Sequence, residues 1–385
     1  MSRIAVVGAG PVGLFLACLL VHSGHDVTVL ERRRERQHGS RSIGIHPPAL
    51  EALDLVNAAA PLIACGVAIA RARLFLDRRE LGVLSLASCP PPYRFVLSSP
   101  QGATEAVLEE CLEELAPGTI RRGVELEAVG RQGAGVRLEL AGERGVEVDF
   151  VVGCDGRSSS VRESVGVDVE VRPHADHYLM ADIADDSDLA TDAVIFLTGS
   201  GVVESFPLPG SRRRWVVRTG GRGETPTFAH LAELVFQRTG VSLLREPARH
   251  EPAKMAPAPP HELAATVSAF SAETRLARRL AGRNWALAGD AAHVISPIGG
   301  QGMNLGWLGA LTLASELADG SGAWHPERYQ RLQWGRARAA ARRVRLNTAL
   351  GRAGLPGPLR QLALRLVMSR PVRTGAARYF TMRGL

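Results

Sequence analysis

Three glycines at one spacing are the first residues able to do chemistry: Gly8, Gly10 and Gly13, in the run Gly8-Ala-Gly10-Pro11-Val12-Gly13. A G-x-G-x-x-G turn is a phosphate cradle. Gly8 permits the tight turn, Gly10 lets a pyrophosphate approach the backbone, and Gly13 allows a helix to pack closely on a strand. Eighteen residues past Gly13 stands Glu31, whose carboxylate can accept hydrogen bonds from the ribose hydroxyls of an adenosine. Glycines and acid together describe a dinucleotide site.

Such a site requires strand, turn, helix and second strand in that order, and the chain supplies them. Ile4 to Val7 is a β-branched run suited to a buried parallel strand, Leu14 to Val21 continues as an apolar helix, and Asp26 to Leu30 is a strand running into Glu31. Pro11 falls in the first helical turn, where its missing N–H costs nothing. The same glycines without chemistry would be a turn in an ordinary α/β protein; strand, helix, second strand and acid in succession favour the dinucleotide.

Two later runs combine a strand, a carboxylate and a turn. Asp149-Phe-Val-Val-Gly-Cys-Asp155-Gly156-Arg-Ser-Ser159-Ser-Val-Arg162 reads as a strand ending in an Asp-Gly turn before a helix. Trp285-Ala-Leu-Ala-Gly289-Asp290-Ala-Ala-His293-Val-Ile-Ser-Pro297-Ile-Gly299-Gly300-Gln301-Gly302-Met303-Asn304-Leu-Gly306 reads as a strand, a carboxylate, a glycine-rich loop and another helix start. A carboxylate at a strand end can bind ribityl hydroxyls, and a glycine loop opening a helix can present N–H groups to an electron-rich ring edge.

With all three runs in order, the chain resembles the class A flavoprotein monooxygenases, single-component aromatic hydroxylases with the para-hydroxybenzoate hydroxylase fold. The resemblance covers roughly residues 1–335 and rests on the glycine fingerprint, D-G-x-x-S-x-x-R, and G-D-A-A-H-x-x-x-P-x-x-G-Q-G-x-N-x-G. It implies an α/β chain: a Rossmann-like FAD-binding domain of the GR2 type, an inserted, mostly antiparallel substrate-binding sheet, and a C-terminal helical segment. The expected FAD-binding domain is discontinuous, at 1–71, 96–166 and 271–330; the substrate-binding domain takes 72–95 and 167–270, and the helical segment 331–385.

Residue by residue, the resemblance implies FAD held by Gly8, Gly10, Pro11, Val12 and Gly13, with Glu31 on the adenosine ribose, Asp155 at the second motif and Asp290 on the ribityl chain. Gly300, Gln301, Gly302, Met303 and Asn304 would lie along the pyrimidine edge of the flavin ring, where a helix dipole favours negative charge. Arg32 or Arg33 could reach the adenine or pyrophosphate, and reads equally well as solvated surface arginine. Arg41, in a stretch similar to the family's R-x-x-G, would contact FAD, and Gln101 matches a glutamine or arginine that reaches the cofactor. Pro297 and His46 are the candidates for the catalytic surroundings of the flavin, and no acid–base residue is assignable. His293, beside a glycine turn, reads first as a packing and hydrogen-bonding residue.

From about Val167 to Phe270 the pattern changes to short alternating strands, as in Ala193 to Leu197, Gly201 to Phe206 and Arg214 to Arg218, with Pro207, Pro209 and Gly210 at a turn. Substrate-pocket candidates are Met180, Asp182, Phe196, Phe206, Pro207 and Trp215; alternation shows which residues share a face, but not which face meets the flavin. Pro326 to Leu350 is rich in Ala, Leu and Arg, and Leu359 to Arg370 has one apolar helical face before an expected stop at Pro371. That face suits packing on the FAD domain; its similarity to the tails of quinone-pathway hydroxylases also raises peripheral contact with a membrane or a lipophilic substrate.

The 385 residues, 45% hydrophobic and 22% charged, suit two or three folded domains. Net charge is +7, but Lys254 is the only lysine, so the basic residues read as arginine bias and nucleic-acid binding is not expected. Five scattered cysteines without a C-x-x-C pair fit a reducing cytoplasm and no metal site. Gly8, Gly10, Pro11 and Gly13 interrupt the N-terminal apolar run, so no export signal or membrane span is expected. Over these 385 residues, the thioredoxin-like domain that longer family members append is not expected.

The resemblance implies an NADH or NADPH reductant bound transiently, since no second Rossmann unit is present, and O2 as oxidant. Oxygen would add at the flavin C4a carbon, and the hydroperoxide would pass one oxygen to an aromatic, quinone-like or polyketide-like molecule. Halogenases of this fold use a first-domain lysine and W-x-W-x-I-P; here Trp215, Trp285, Trp307, Trp324 and Trp334 never pair that way. A prenyl-chain reductase and a non-catalytic flavin-containing binding protein remain alternatives.

Overall fold

A computed structural model describes residues 1–36, 42–220, 226–243, 267–296, 300–318, 324–351 and 370–384. Arg41, Lys254 and Pro297 lie outside the described residues, as does the stretch 359–369 on which the membrane-contact expectation rests.

The apolar strand of the first motif becomes the middle of a five-stranded sheet, ordered Trp285–Leu287, Phe150–Gly153, Arg3–Val7, Asp26–Glu31, Ile120–Arg122. All neighbouring pairs are parallel, so every strand ends on the same edge. That edge therefore collects three segments far apart in sequence: the glycine turn after Val7, Asp155 after Gly153, and Gly289-Asp290 after Leu287. Backbone hydrogen bonds stitch them. Gly8 N–H donates to Leu30 O (2.7 Å), Cys154 N–H to Val7 O (2.8 Å), and Ala288 N–H to Gly153 O (2.9 Å). An open parallel sheet binds ligands at this edge, where chain order reverses about the first strand.

The helix Pro11–His22 is apolar on nearly every side because it is covered on nearly every side, and Leu14 to Leu20 are all buried. It packs between the sheet, the helix Gln101–Leu115 and the helix Gln301–Ala318, with the Trp307 indole N–H donating to Pro11 O at 2.9 Å. Gly8, with φ +105°, and Gly13 make the entry to this helix so close that a Cβ on Gly13 would stand 2.0 Å from Gly8 O.

A second sheet has eight strands, ordered His293–Val294, Ser268–Ala277, Val169–Ala184, Arg212–Thr219, Gly201–Leu208, Ala193–Thr198, Arg71–Leu76, Arg79–Ser85. Its pairs are antiparallel except Ala193–Thr198 with Arg71–Leu76. The helix Phe228–Thr239 covers one face: its Leu231 and Val235 close a core with Leu179, Phe196, Val203, Trp215 and Val217. Pro207 is not at the turn but inside a strand, paired with Arg213; the reversal lies at Gly210 and Ser211, both at positive φ.

The third motif joins the two sheets, leaving the parallel edge at Gly289 and adding His293–Val294 to the antiparallel one. The long helix Pro326–Gly351 anchors this crossing, with the Tyr329 hydroxyl donating to Leu287 O at 2.8 Å. Pro371 does not end a helix; it lies in the first turn of the helix Arg370–Phe380, the turn in which proline leaves no helical N–H unpaired. Among the described residues no helix is long and apolar enough to cross a membrane, and the five cysteines are all free.

Candidate active site

Between the edge of the parallel sheet and the face of the antiparallel sheet opposite the helix Phe228–Thr239 runs one continuous cavity of about 1760 Å³. Single small-molecule sites occupy roughly 300–1,000 Å³, so this cavity has room for a dinucleotide and a second molecule. Its glycine-turn end is lined by Gly8, Gly10, Pro11, Val12, Glu31 and Arg32, with Gln101, Asp155, Asp290, Gly300, Gly302 and Met303 further in. His46, Met180 and Phe206 also line it, and the helix Arg370–Phe380 walls one side with Tyr379 and Phe380.

The carboxylates are held by the turns they serve. Glu31 is buried, and accepts from Ala9 N–H (2.9 Å) and Arg33 N–H (3.0 Å), so it shapes the glycine turn as well as facing the cavity. Asp155 Oδ2 accepts from Val161 N–H at 3.1 Å, while its Oδ1 is buried with no partner among the described residues. Burial, the dominant influence, pushes the Asp155 carboxyl above the usual aspartate range. A buried acceptor at the cavity wall that lacks a donor is what a bound hydroxyl-bearing cofactor would satisfy, and Asp155 fits such a group. Asp290 is exposed at the strand end.

Asn304 and Arg162 hold the loops together. Asn304 Oδ1 accepts from His46 N–H at 2.7 Å, and Nδ2 donates to Gly44 O (2.8 Å) and Gly300 O (2.7 Å). Its amide is thus occupied by protein backbone, and Asn304 positions the glycine loop and the segment before the helix Pro47–Asp54. Arg162 is buried in the second motif and donates to Arg157 O (2.8 Å) and Ala291 O (3.1 Å), locking the second motif to the third. Gln301 lies buried behind the cavity wall.

On the antiparallel sheet, the structure corrects four pocket assignments: Asp182 and Pro207 do not line the cavity. Phe196 and Trp215 point away from the cavity, into the core under the helix Phe228–Thr239. The cavity face is the other parity: Tyr178, Met180, Ile195, Glu204, Phe206, Arg214 and Val216. A strand's two faces are equally apolar when each is covered, so period two alone cannot choose between them. Asp182 holds Arg214 through both oxygens (2.6 and 2.7 Å). Glu204 went unremarked in the sequence, although it stands two residues before Phe206 and therefore on the same face.

His293 is not at the cavity. It is buried, and Gln333 Nε2 donates to its Nε2 at 2.8 Å. Burial lowers its pKa to about 4. The unfolded chain then takes up the proton that the folded chain refuses, so the contribution of neutral His293 is whole above pH 6.5 and is lost as pH falls toward 4. That loss amounts to roughly 3 kcal/mol. His293→Gln is expected to flatten the fall in melting temperature between pH 7 and pH 4.5; an unchanged slope would assign the acid sensitivity elsewhere.

Comparison with known proteins gives the following. The model of a family described as an FAD binding domain matches residues 1–342. The 6-methylpretetramide 4-monooxygenase of Streptomyces rimosus is 35% identical over 325 residues, covering 82% of this chain and 56% of that protein. The chain spans between 56% and 66% of the length of the curated relatives it matches first. Among solved structures, PyrE3, a Diels-Alderase in pyrroindomycin biosynthesis, has a TM-score of 0.79 at 25% identity, covering 99% of this chain and 80% of that one. CabE, an aromatic hydroxylase from angucycline biosynthesis, has a TM-score of 0.73 at 26% identity, covering 99% and 76%.

Proposed function

This chain belongs to the FAD binding domain family, and on that premise we propose that it is an FAD-dependent monooxygenase that uses NADH or NADPH and O2 to hydroxylate an aromatic, quinone-like or polyketide-like small molecule. The observation that carries this reading is the single cavity joining the three-motif edge to the apolar face of the antiparallel sheet. When bound, FAD supplies reducing equivalents taken from the nicotinamide and the activated oxygen.

The chain's own residues then bind, orient and exclude water. The glycine turn would receive the pyrophosphate on backbone N–H groups at the start of the helix Pro11–His22, with Glu31 beside the ribose. Asp155 and Asp290 would accept hydroxyls of the cofactor, and the first turn of the helix Gln301–Ala318 would face the flavin ring. Met180, Phe206 and Val216 offer an apolar surface against which a ring can lie dry, and Tyr379 and Phe380 close the side. In this reading residues 1–71, 96–166 and 271–330 are the FAD-binding domain, 72–95 and 167–270 the substrate domain, 331–385 a helical closure, and the protein works in the cytoplasm.

The reading is tested with the full chain loaded with FAD. An aromatic substrate should accelerate NADH or NADPH oxidation, and the product should carry one oxygen atom from isotopically labelled O2. Reductant consumption with no labelled product from any ring offered would remove the hydroxylase reading. Asp290→Ala is expected to purify with little FAD, and a full yellow complement would remove Asp290 from the cofactor site.

A further inference from the structure

Glu204 is a buried carboxyl on the cavity face of the antiparallel sheet, and no ion pair among the described residues answers it. In register it sits opposite Ile195 on one neighbouring strand and Val216 on the other, with Val202 and Phe206 on its face along its own strand. The short strands Val67–Ile69 and Val96–Ser98, which pack on its strand, bring no titratable side chain. Five cavity-lining arginines are engaged by other acids: Arg214 by Asp182, Arg218 by Asp176 at 2.6 Å, Arg73 by Glu80, and Arg157 and Arg275 by Glu273. Tyr178 lies a strand further away, and His46 and Tyr379 line the same cavity from other elements. Among the described residues Glu204 has no hydrogen-bond or ion-pair partner.

An unpaired carboxyl in an apolar wall costs stability, and is retained where a ligand needs it. With burial as its cause, its pKa is pushed up to about 7, the range in which a group can both accept and return a proton near neutrality.

Resting on the monooxygenase reading above, we propose that Glu204 accepts the proton of a phenolic hydroxyl on the substrate, which makes neutral phenols the substrate class of this cavity. The phenol O–H bond breaks and an O–H bond forms on the Glu204 carboxylate. The electron pair stays on the phenolate oxygen and spreads to the ring carbons ortho and para to it, which become the nucleophiles that oxygenation requires. The oxygenated ring carbon then gives up its hydrogen to water as a proton, the C–H electron pair restores the aromatic ring, and Glu204 returns its proton to the original phenolic oxygen. Anionic rings such as benzoates are disfavoured, because Glu204 repels them and the arginines around it, Arg73, Arg157, Arg214, Arg218 and Arg275, are already paired with acids.

The test uses the full-length, FAD-loaded protein with 2-naphthol and its methyl ether, 2-methoxynaphthalene, as probes, and affinities read by titration calorimetry from pH 5.5 to 8.5. Wild type should bind 2-naphthol about tenfold more tightly at the upper end, as the acceptor becomes charged, and should show no such rise with the ether. Glu204→Gln should bind the ether as wild type does, which reports an intact pocket, and should lose the rise for 2-naphthol. Identical pH profiles for the two probes in wild type, a rise that survives in Glu204→Gln, or no binding of either probe would each overturn the proposal. Binding is scored apart from turnover. A pH-linked preference for 2-naphthol with no labelled oxygen in any phenol removes the monooxygenase reading alone, whereas phenol oxygenation unchanged by Glu204→Gln removes Glu204 alone.

Discussion

Gly13→Ala is expected to yield a protein that binds no FAD and is less stable by roughly 3 kcal/mol or more, whereas Gly10→Ala, three residues earlier, should lose FAD affinity with the stability of the apoprotein unchanged. The two glycines meet different surroundings. A methyl on Gly13 would lie 2.0 Å from Gly8 O and 3.2 Å from Cys154 Cβ, atoms of the turn and of the neighbouring strand end that have nowhere to move. Accommodating it means lifting the helix Pro11–His22 off the sheet, and with it the fully buried Leu14, Phe15 and Leu16. A methyl on Gly10 meets nothing within 4 Å, and Gly10 has the ordinary extended φ of −82°. It would only fill space a pyrophosphate needs. Chemical denaturation of the apoproteins with FAD titration separates the two, and equal stability of both variants would mean that the tight turn carries no packing role.

Asn304→Leu is the second large effect, expected to destabilise by about 3–5 kcal/mol and to lower FAD retention even though the asparagine amide faces protein. The substitution keeps similar volume at a buried position but strands His46 N–H and the carbonyls of Gly44 and Gly300. Each buried group left without a partner costs about 1–3 kcal/mol. Asn304→Asp keeps the acceptor for His46 N–H and turns two donated bonds into oxygen–oxygen repulsions, so it should also fail. Wild-type stability in Asn304→Asp, measured by urea unfolding, would show that the two donated bonds contribute nothing.

The glycine fingerprint, the Asp155 turn and the Asp290 loop were legible because their signals are local. Glycine where a Cβ cannot fit, a carboxylate at a strand end and proline in a first helical turn are all requirements of a few consecutive residues. The parallel edge follows from them with little further input, since β-α-β units wind one way and bring all strand ends together. Pro371 was misread for the opposite reason: proline marks a helix boundary without saying which side of it the helix lies on.

The cavity wall of the antiparallel sheet was decided elsewhere. Phe196 and Phe206 sit in equally alternating strands, yet one is core and the other cavity, because the helix Phe228–Thr239 covers one face of the sheet and the edge of the parallel sheet faces the other. Nothing within either strand encodes that choice. Arg162 and Asn304 are of the same kind, their roles existing only once Ala291 and His46, distant in sequence, are brought within hydrogen-bond reach.

By itself, then, the sequence determined the glycine turn and the carboxylate turns at the edge of the parallel sheet, where structure is set by backbone conformation and short spacing. Tertiary structure alone decided the pocket: which parity of each strand looks inward, which acids are paired with arginines, and that Glu204 among the described residues is not. Burial and pairing are properties of what surrounds a residue, and those surroundings come from chain segments that only folding brings together.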